Sequence, residues 1–71
     1  NPKQQLHEWV QATYKDTPRY TLVGTSGPDH DRRFIMAVHV NGEEVAQGEG
    51  TSKRTAASAA AERAAEKLGL L

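Results

Sequence analysis

The segment from residue 56 to residue 65 constrains the fold most strongly, because seven of its ten residues are alanine. Alanine has the highest helix propensity of all residues, so this segment is predicted to be helical. Ser52 can cap the helix and Gly69 can end it, which predicts a helix from residue 52 to about residue 68. With so few bulky side chains, the helix can lie very close to a sheet. The predicted contact face consists of Ala56, Ala60, Ala64 and Leu68.

A second helix is predicted at the start of the chain, from about residue 2 to residue 14. Asn1 stands in the N-cap position and Pro2 at the first helical position, where a missing N–H costs nothing. The helix stops before Pro18, because a residue that precedes proline is pushed out of the α region. With about 100° of rotation per residue, one face of this helix is largely apolar and contains Leu6, Trp9, Val10 and Thr13. The opposite face is polar and contains Gln4, His7, Glu8, Gln11 and Lys15.

Three strands are predicted between the two helices. The first covers residues 19 to 25 and the second residues 34 to 40, where apolar residues alternate. Asn41-Gly42 then predicts a hairpin, because both residues tolerate the positive φ of a type I′ turn. A weaker third strand follows from about residue 43 to residue 48. The order α-β-β-β-α predicts an α+β fold, with a three-stranded antiparallel sheet and both helices packed on one of its faces.

Length and composition limit what the chain can do. Its 71 residues are enough for one small domain, 1–71. The lack of cysteine excludes a disulfide scaffold and a thiolate zinc site. The longest apolar run, residues 34 to 38, is far shorter than the roughly 20 residues of a membrane helix, and no export leader opens the chain. We therefore expect a soluble, cytoplasmic protein without a membrane partner. Nine basic and nine acidic residues cancel, so the distribution of charge must identify any polyanionic partner.

Four stretches of the sequence resemble the double-stranded RNA-binding domain and together span essentially the whole chain. They are Pro2-Lys3 with Leu6-His7-Glu8, Pro18-Arg19-Tyr20, Gly27-Pro28-Asp29-His30-Asp31 with Phe34, and Gly48-Glu49-Gly50-Thr51-Ser52-Lys53-Arg54 with Ala56, Ala60 and Ala61. The Gly-Pro-Asp-His-Asp loop is most similar to the C-terminal domain of bacterial-type ribonuclease III. One departure is Ala57, which stands where family members often show a third basic residue. The resemblance implies a module that binds duplex RNA by shape, as the substrate-binding part of such a ribonuclease.

The polar face of the first helix is the predicted reader of RNA hydroxyls. Glutamine can donate and accept hydrogen bonds, and glutamate can accept one from a 2′-hydroxyl. The resemblance assigns this role to Gln4, Glu8 and Gln11. At His7 the family commonly has glutamine, so an RNA contact and a solvated histidine are both open. For any amphipathic helix, the alternative is a solvated polar face.

The start of the second helix is the predicted phosphate clamp, formed by Ser52, Lys53 and Arg54. Free backbone N–H groups and the helix dipole favour anions there. Two cations at the same helix end are unfavourable by about 0.3–1 kcal/mol each, which favours an anion docking between them. The alternative is an ordinary pair of surface charges.

The loop after the first strand is the third candidate contact, with His30 at its tip. In the family this loop reaches the next minor groove, and the resemblance assigns that role to His30 and the backbone of Pro28. Asp29 and Asp31 argue mildly against a phosphate contact, although they could favour a charged imidazolium. The alternative is a solvated loop histidine.

No constellation for catalysis is found in the sequence. His7, His30 and His39 are predicted on a helix, a loop and a strand, without metal-ligand spacing. We expect a binding module that is not an enzyme and needs no cofactor, with magnesium only in a catalytic domain of the parent chain. The expected partners are double-stranded RNA and an attached nuclease domain or protein partner.

The alternative function is a protein-interaction or dimerisation module of the same fold, with weak or no RNA binding. An exposed apolar strip on the open sheet face, formed by Ile35 and Ala37, would be evidence for it.

Overall fold

A computed structural model describes all residues of the chain, 1–71. The helices are α1 (Pro2–Tyr14) and α2 (Lys53–Lys67), and the strands between them are β1 (Arg19–Ser26), β2 (Arg33–Val40) and β3 (Glu43–Gly50). The strands form one antiparallel sheet in the order β1-β2-β3. The predicted α+β class and the order α-β-β-β-α are confirmed.

Local sequence signals set the ends of the elements. The side-chain oxygen of Asn1 accepts hydrogen bonds from the backbone N–H groups of Lys3, at 3.0 Å, and Gln4, at 3.3 Å. This is the predicted cap of α1. In the hairpin between β2 and β3, Asn41 has φ 52° and Gly42 has φ 84°. Both positive angles match the predicted type I′ turn.

The core lies between the two helices and one face of the sheet. Its main cluster joins Leu6 and Val10 of α1 to Val38 and Val40 of β2 and to the alanines Ala60, Ala61 and Ala64 of α2. A smaller cluster contains Met36, Ala56 and Ala57. Both helices therefore pack on the same side of the sheet. Thr13 was expected on the buried face of α1 but is exposed, because the buried contact of this helix ends at Val10.

Two glycines bring α2 close to β3. The strand was predicted to end at Gly48, but it continues to Gly50. A Cβ atom on Gly48 would overlap the backbone nitrogen of Ala60, and one on Gly50 would overlap the side chain of Thr55. The residues that suggested a loose loop are therefore the place where strand and helix backbones approach most closely.

The two edge strands differ in their surroundings. On β3, Val45 is an extra residue in the register, and its carbonyl accepts a hydrogen bond from Nζ of Lys67 at 3.1 Å. On β1, the register shifts between Leu22 and Gly24. Leu22 is 45% exposed and Val23 is 50% exposed. The large exposed apolar side chains of the sheet thus lie on its β1 edge.

The exposed apolar strip that would support a protein-interaction module is not formed by Ile35 and Ala37 on the open sheet face. Ala37 is fully buried and Ile35 is half-buried. Thr21 and Gln47 are the register partners of Ala37 on the two neighbouring strands. Near them the Oγ1 atom of Thr21 lies 3.1 Å from Nε2 of His39. The open face is therefore mainly polar.

Neither helix has both the length and the apolar character that crossing a bilayer requires.

Candidate nucleic-acid interface

The polar stripe of α1 is exposed along two turns of the helix. All four predicted readers, Gln4, His7, Glu8 and Gln11, face solvent. Nε2 of Gln4 donates a hydrogen bond of 3.3 Å to Oε2 of Glu8, one turn further along. This contact aligns the two side chains on one face. It leaves the second carboxylate oxygen of Glu8 and the amide of Gln11 available to hydroxyl donors or acceptors.

Ser52 caps α2 through a reciprocal pair of hydrogen bonds. Its Oγ atom accepts from the backbone N–H of Thr55 at 3.1 Å, and Oγ1 of Thr55 accepts from the backbone N–H of Ser52 at 3.1 Å. The Ser52 hydroxyl is thus engaged by the helix itself. Its structural role is to set the direction of the first turn, on which the neighbouring basic residues stand.

The first turn of α2 presents two cations and two free donors. The side chains of Lys53 and Arg54 are exposed. Their backbone N–H groups donate no hydrogen bond within the protein, since the first N–H of the helix to do so is that of Thr55, to Oγ of Ser52, and the first backbone–backbone bond runs from Ala56 to the carbonyl of Ser52 at 2.9 Å. Unsatisfied N–H groups at the positive end of a helix attract anions. The basic side chains add full positive charges to the same turn.

The loop that carries His30 is folded into a 3₁₀ turn, Asp29–Asp31. The N–H of Asp31 donates to the carbonyl of Pro28 at 2.9 Å, and Gly27 enters the turn with φ 84°. Pro28 and His30 are both exposed. The turn therefore displays the imidazole at its outer end, where the sequence placed it.

This loop contains an ion pair that was not predicted from the sequence. Nη2 of Arg32 donates to Oδ1 of Asp29, three residues earlier. Their spacing was the available signal, because residues three apart meet across a single turn. Arg32 is therefore a member of the candidate site that was not predicted.

The His30 loop and the start of α2 are brought together, whereas the α1 stripe lies elsewhere. A shallow concavity of about 400 Å³ is lined by loop residues, by Phe34 and by Thr51, which precedes the cap of α2. Phe34 pairs with Gly50 across the sheet, which places both connections at the same end. No residue of the α1 stripe lines this concavity. The candidate interface thus has two adjacent parts, the His30 loop and the start of α2, and a separate third part, the polar face of α1.

The chain contains no group of three or more His, Asp or Glu side chains close enough to hold a metal ion. Its one clearly perturbed titratable group is outside the interface. Burial raises the pKa of the Tyr20 phenol above 10.0, and the buried hydroxyl has no hydrogen-bond partner. Tyr20 packs against both core clusters. Its perturbation therefore concerns the stability of the domain.

Comparison with known proteins agrees with this arrangement. Residues 2–68 match the family described as "Double-stranded RNA binding motif". The chain is 50% identical over 62 residues to "Ribonuclease 3" of Heliobacterium modesticaldum and 52% identical over 62 residues to "Ribonuclease 3" of Syntrophobacter fumaroxidans. It is also 47% identical over 66 residues to "Ribonuclease 3" of Geobacter sulfurreducens.

These matches cover 87% of the chain for the first two relatives and 93% for the third, but only 26%, 26% and 27% of the relatives. The chain thus spans about a quarter of the length of the curated relatives it matches. The family match takes up almost all of its residues, so it holds a binding domain and no catalytic domain. The resemblance noted in the sequence is confirmed: this chain belongs to the double-stranded RNA-binding domain family.

Proposed function

We propose that this chain binds double-stranded RNA by shape, through 2′-hydroxyls of two minor grooves and phosphates of the major groove between them. A domain of this family covers about 16 base pairs in that way. The observation that carries the proposal is the first turn of α2, where two unsatisfied N–H groups and the side chains of Lys53 and Arg54 meet. This is a site for a phosphate.

The separate face of α1 supports the minor-groove part of the proposal. A-form RNA presents 2′-hydroxyls in a wide, shallow groove, which suits an exposed helix with short-range donors and acceptors. Gln4, Glu8 and Gln11 supply such groups over two turns, and His7 extends the stripe. His30 and the backbone of Pro28 would contact the next minor groove. Ser52 contributes by fixing the turn that holds the clamp.

The relatives support a place for the domain within a larger enzyme. Because they are named "Ribonuclease 3" and the matched residues make up only 26% of their length, we propose that the domain binds the substrate of an endoribonuclease. Magnesium would be needed only by the catalytic domain of that parent chain. A cytoplasmic location belongs to the same proposal, since RNA processing by the parent would take place there.

A protein-interaction role is the second candidate, favoured by the exposed side chains of Leu22 and Val23 at the edge of the sheet. Exposed apolar residues on an edge strand can pair with another chain. Sedimentation measured over a range of concentrations tests this role. A mass that stays monomeric while RNA still binds would leave the RNA-binding function alone.

The test of the main proposal is the affinity for matched RNA and DNA duplexes at two salt concentrations, measured by fluorescence anisotropy. RNA should bind far more tightly than DNA of the same sequence and length. The affinity should fall with salt, because bound phosphates release counterions. Equal affinity for DNA would contradict groove reading and leave only non-specific charge attraction.

A further inference from the structure

The loop between β1 and β2 contains two carboxylates beside the residue proposed to enter the second minor groove. Asp29 and Asp31 flank His30 within a single 3₁₀ turn. The Asp29 side chain is 94% exposed, so its charge faces whatever approaches the loop. RNA brings a dense row of negative phosphates to that surface. The turn therefore needs compensation for its own negative charge if it is to contact RNA.

Arg32 supplies that compensation at one of the two carboxylates. Its guanidinium donates to Asp29, while its side chain is only 45% exposed and lines the concavity shared with Phe34 and Thr51. The guanidinium is thus partly shielded from solvent, whereas the Asp29 carboxylate that it contacts is almost fully exposed. The pair bridges the turn, and the exposed His30 lies between its two members in the chain.

The Arg32–Asp29 pair contributes little to the stability of the folded domain. An ion pair between exposed side chains changes the equilibrium constant of folding by no more than about fivefold. The turn is already closed by the bond from Asp31 to the carbonyl of Pro28 at 2.9 Å and by the positive φ of Gly27. Its position directly beside His30 points to binding instead.

We propose that Arg32 is a positioning residue for the second minor-groove contact, which restrains and neutralises Asp29 so that His30 can approach RNA. This inference rests on the proposed RNA-binding function. In it Arg32 acts through Asp29 and does not bind phosphate itself. Removing the cation alone leaves an unpaired carboxylate at the RNA surface, whereas removing both charges leaves a neutral turn.

The experiment compares Arg32→Gln, Asp29→Asn and the double variant with the unaltered chain. Each protein is titrated by anisotropy against an RNA duplex of about 16 base pairs, which presents two minor grooves, and against one of about half that length. Arg33→Gln is the matched control, because this neighbouring cation has no partner in the loop. Thermal unfolding is recorded for every variant.

Arg32→Gln should weaken binding to the long duplex by up to about fivefold, the range of an exposed ion pair, and leave the short duplex almost unaffected. The double variant should recover most of that loss. Asp29→Asn should bind at least as well as the unaltered chain. The unfolding temperatures should agree, because the pair contributes little to folding.

Three outcomes would overturn the inference. No recovery in the double variant, with a salt slope reduced by about one, would show that Arg32 contacts a phosphate directly. A loss that follows the unfolding temperature would show a purely structural role. An equal effect of Arg33→Gln would show that only total charge counts. If the unaltered chain does not prefer RNA to DNA, the proposed function itself fails, which is a distinct result.

Discussion

The ammonium group of Lys3 lies 5.0 Å from the centroid of the Tyr20 ring, so the first turn of α1 is joined to the start of β1 by a cation–π contact. Such contacts at exposed sites contribute about 0.5–1 kcal/mol. The same ring carries the buried hydroxyl that has no partner. One side chain therefore combines a stabilising face with a destabilising tip.

Tyr20→Phe should keep the cation–π contact and remove the unsatisfied hydroxyl. We expect the free energy of unfolding at pH 7 to be unchanged or higher by about 1 kcal/mol, because an apolar group of the same shape replaces an unpaired polar one. Chemical denaturation measures this. Tyr14→Phe is the control, since Tyr14 is exposed and its hydroxyl is accessible to water. A clear loss of stability in Tyr20→Phe would reveal a partner for the hydroxyl.

The pH dependence of stability follows from the same residue. Because burial raises the pKa of Tyr20, the folded state favours the neutral phenol. The part of the folding stability that depends on a neutral phenol is fully present below the unfolded pKa of about 10. It is lost as the pH rises through the folded pKa. Unfolding followed from pH 8 to pH 11 should show an alkaline loss of stability that is smaller in Tyr20→Phe. Identical alkaline profiles would contradict this assignment.

Substituting the glycines under α2 should be costly. In Gly48→Ala, the added methyl group meets helix backbone that cannot move independently, so we expect a loss of about 1–3 kcal/mol or more in unfolding free energy. Gly24→Ala is a matched control on β1, because no atom lies within 4 Å of its added Cβ. A similar loss in both variants would mean that general strand flexibility, rather than close approach, explains Gly48.

The phosphate clamp can be tested through the salt dependence of RNA binding. Lys53→Ala and Arg54→Ala should each weaken binding to all RNA duplexes alike and lower the log-log salt slope by about one. Lys67→Ala is the control, because this residue lies about 21 Å away at the other end of α2 and bonds to β3. An unchanged slope in Lys53→Ala and Arg54→Ala would identify solvated surface charges.

Ser52 allows its capping role to be separated from RNA binding. Ser52→Asp should preserve the stability of α2, because aspartate is also a good N-cap. The same variant should weaken RNA binding, since a carboxylate now competes for Lys53 and Arg54 and repels phosphate. Ser52→Ala should instead lose about 1 kcal/mol of stability. Unimpaired RNA binding by Ser52→Asp would place the phosphates away from this turn.

The stripe of α1 is tested most sharply by changing both partners. Deoxynucleotides at the contacted minor groove should cost the unaltered protein about 0.5–1.5 kcal/mol per neutral hydrogen bond lost. The same RNA changes should cost Gln11→Ala or Glu8→Ala much less, because the partner is already absent. Gln4→Ala should be coupled to Glu8→Ala, since the two side chains touch. Simple additivity at every hydroxyl would mean a solvated helix face.

Local chemistry made much of the fold predictable. The Asn1 cap and the Asn41-Gly42 turn depend on residues adjacent in sequence, so their signals could be read directly. The role of Gly48 depends on its approach to Ala60, twelve residues further along the chain, and the glycines at positions 48 and 50 suggested a loop. Ala37 is buried although it lies on the open face, between Thr21 and Gln47 of the two other strands. Such contacts require the register of the sheet.

The candidate site also has features that local sequence predicts and features that depend on the folded structure. Lys53 and Arg54 were found because a helix start has a known charge preference, and His30 was found through the resemblance. That the His30 loop lies beside Thr51 follows from the pairing of Phe34 with Gly50 across the sheet. The pairing of Arg32 with Asp29 requires the chain to turn between them. The first relationship emerges only when the strands are aligned, whereas the second is local to one turn and was signalled by the spacing of the two residues.

The hydrogen bond from Lys67 to the carbonyl of Val45 has a consequence for assembly. It interrupts the row of open backbone groups on β3, and no side chain makes a comparable bond to β1. A strand added at β3 would have to displace this bond, so β1 is the more open edge. Two chains joined at identical edges form a closed pair with two-fold symmetry, whereas growth into a filament needs two usable edges on every chain. The Lys67 bond therefore makes the two edges of the sheet unequal, which disfavours growth through both of them.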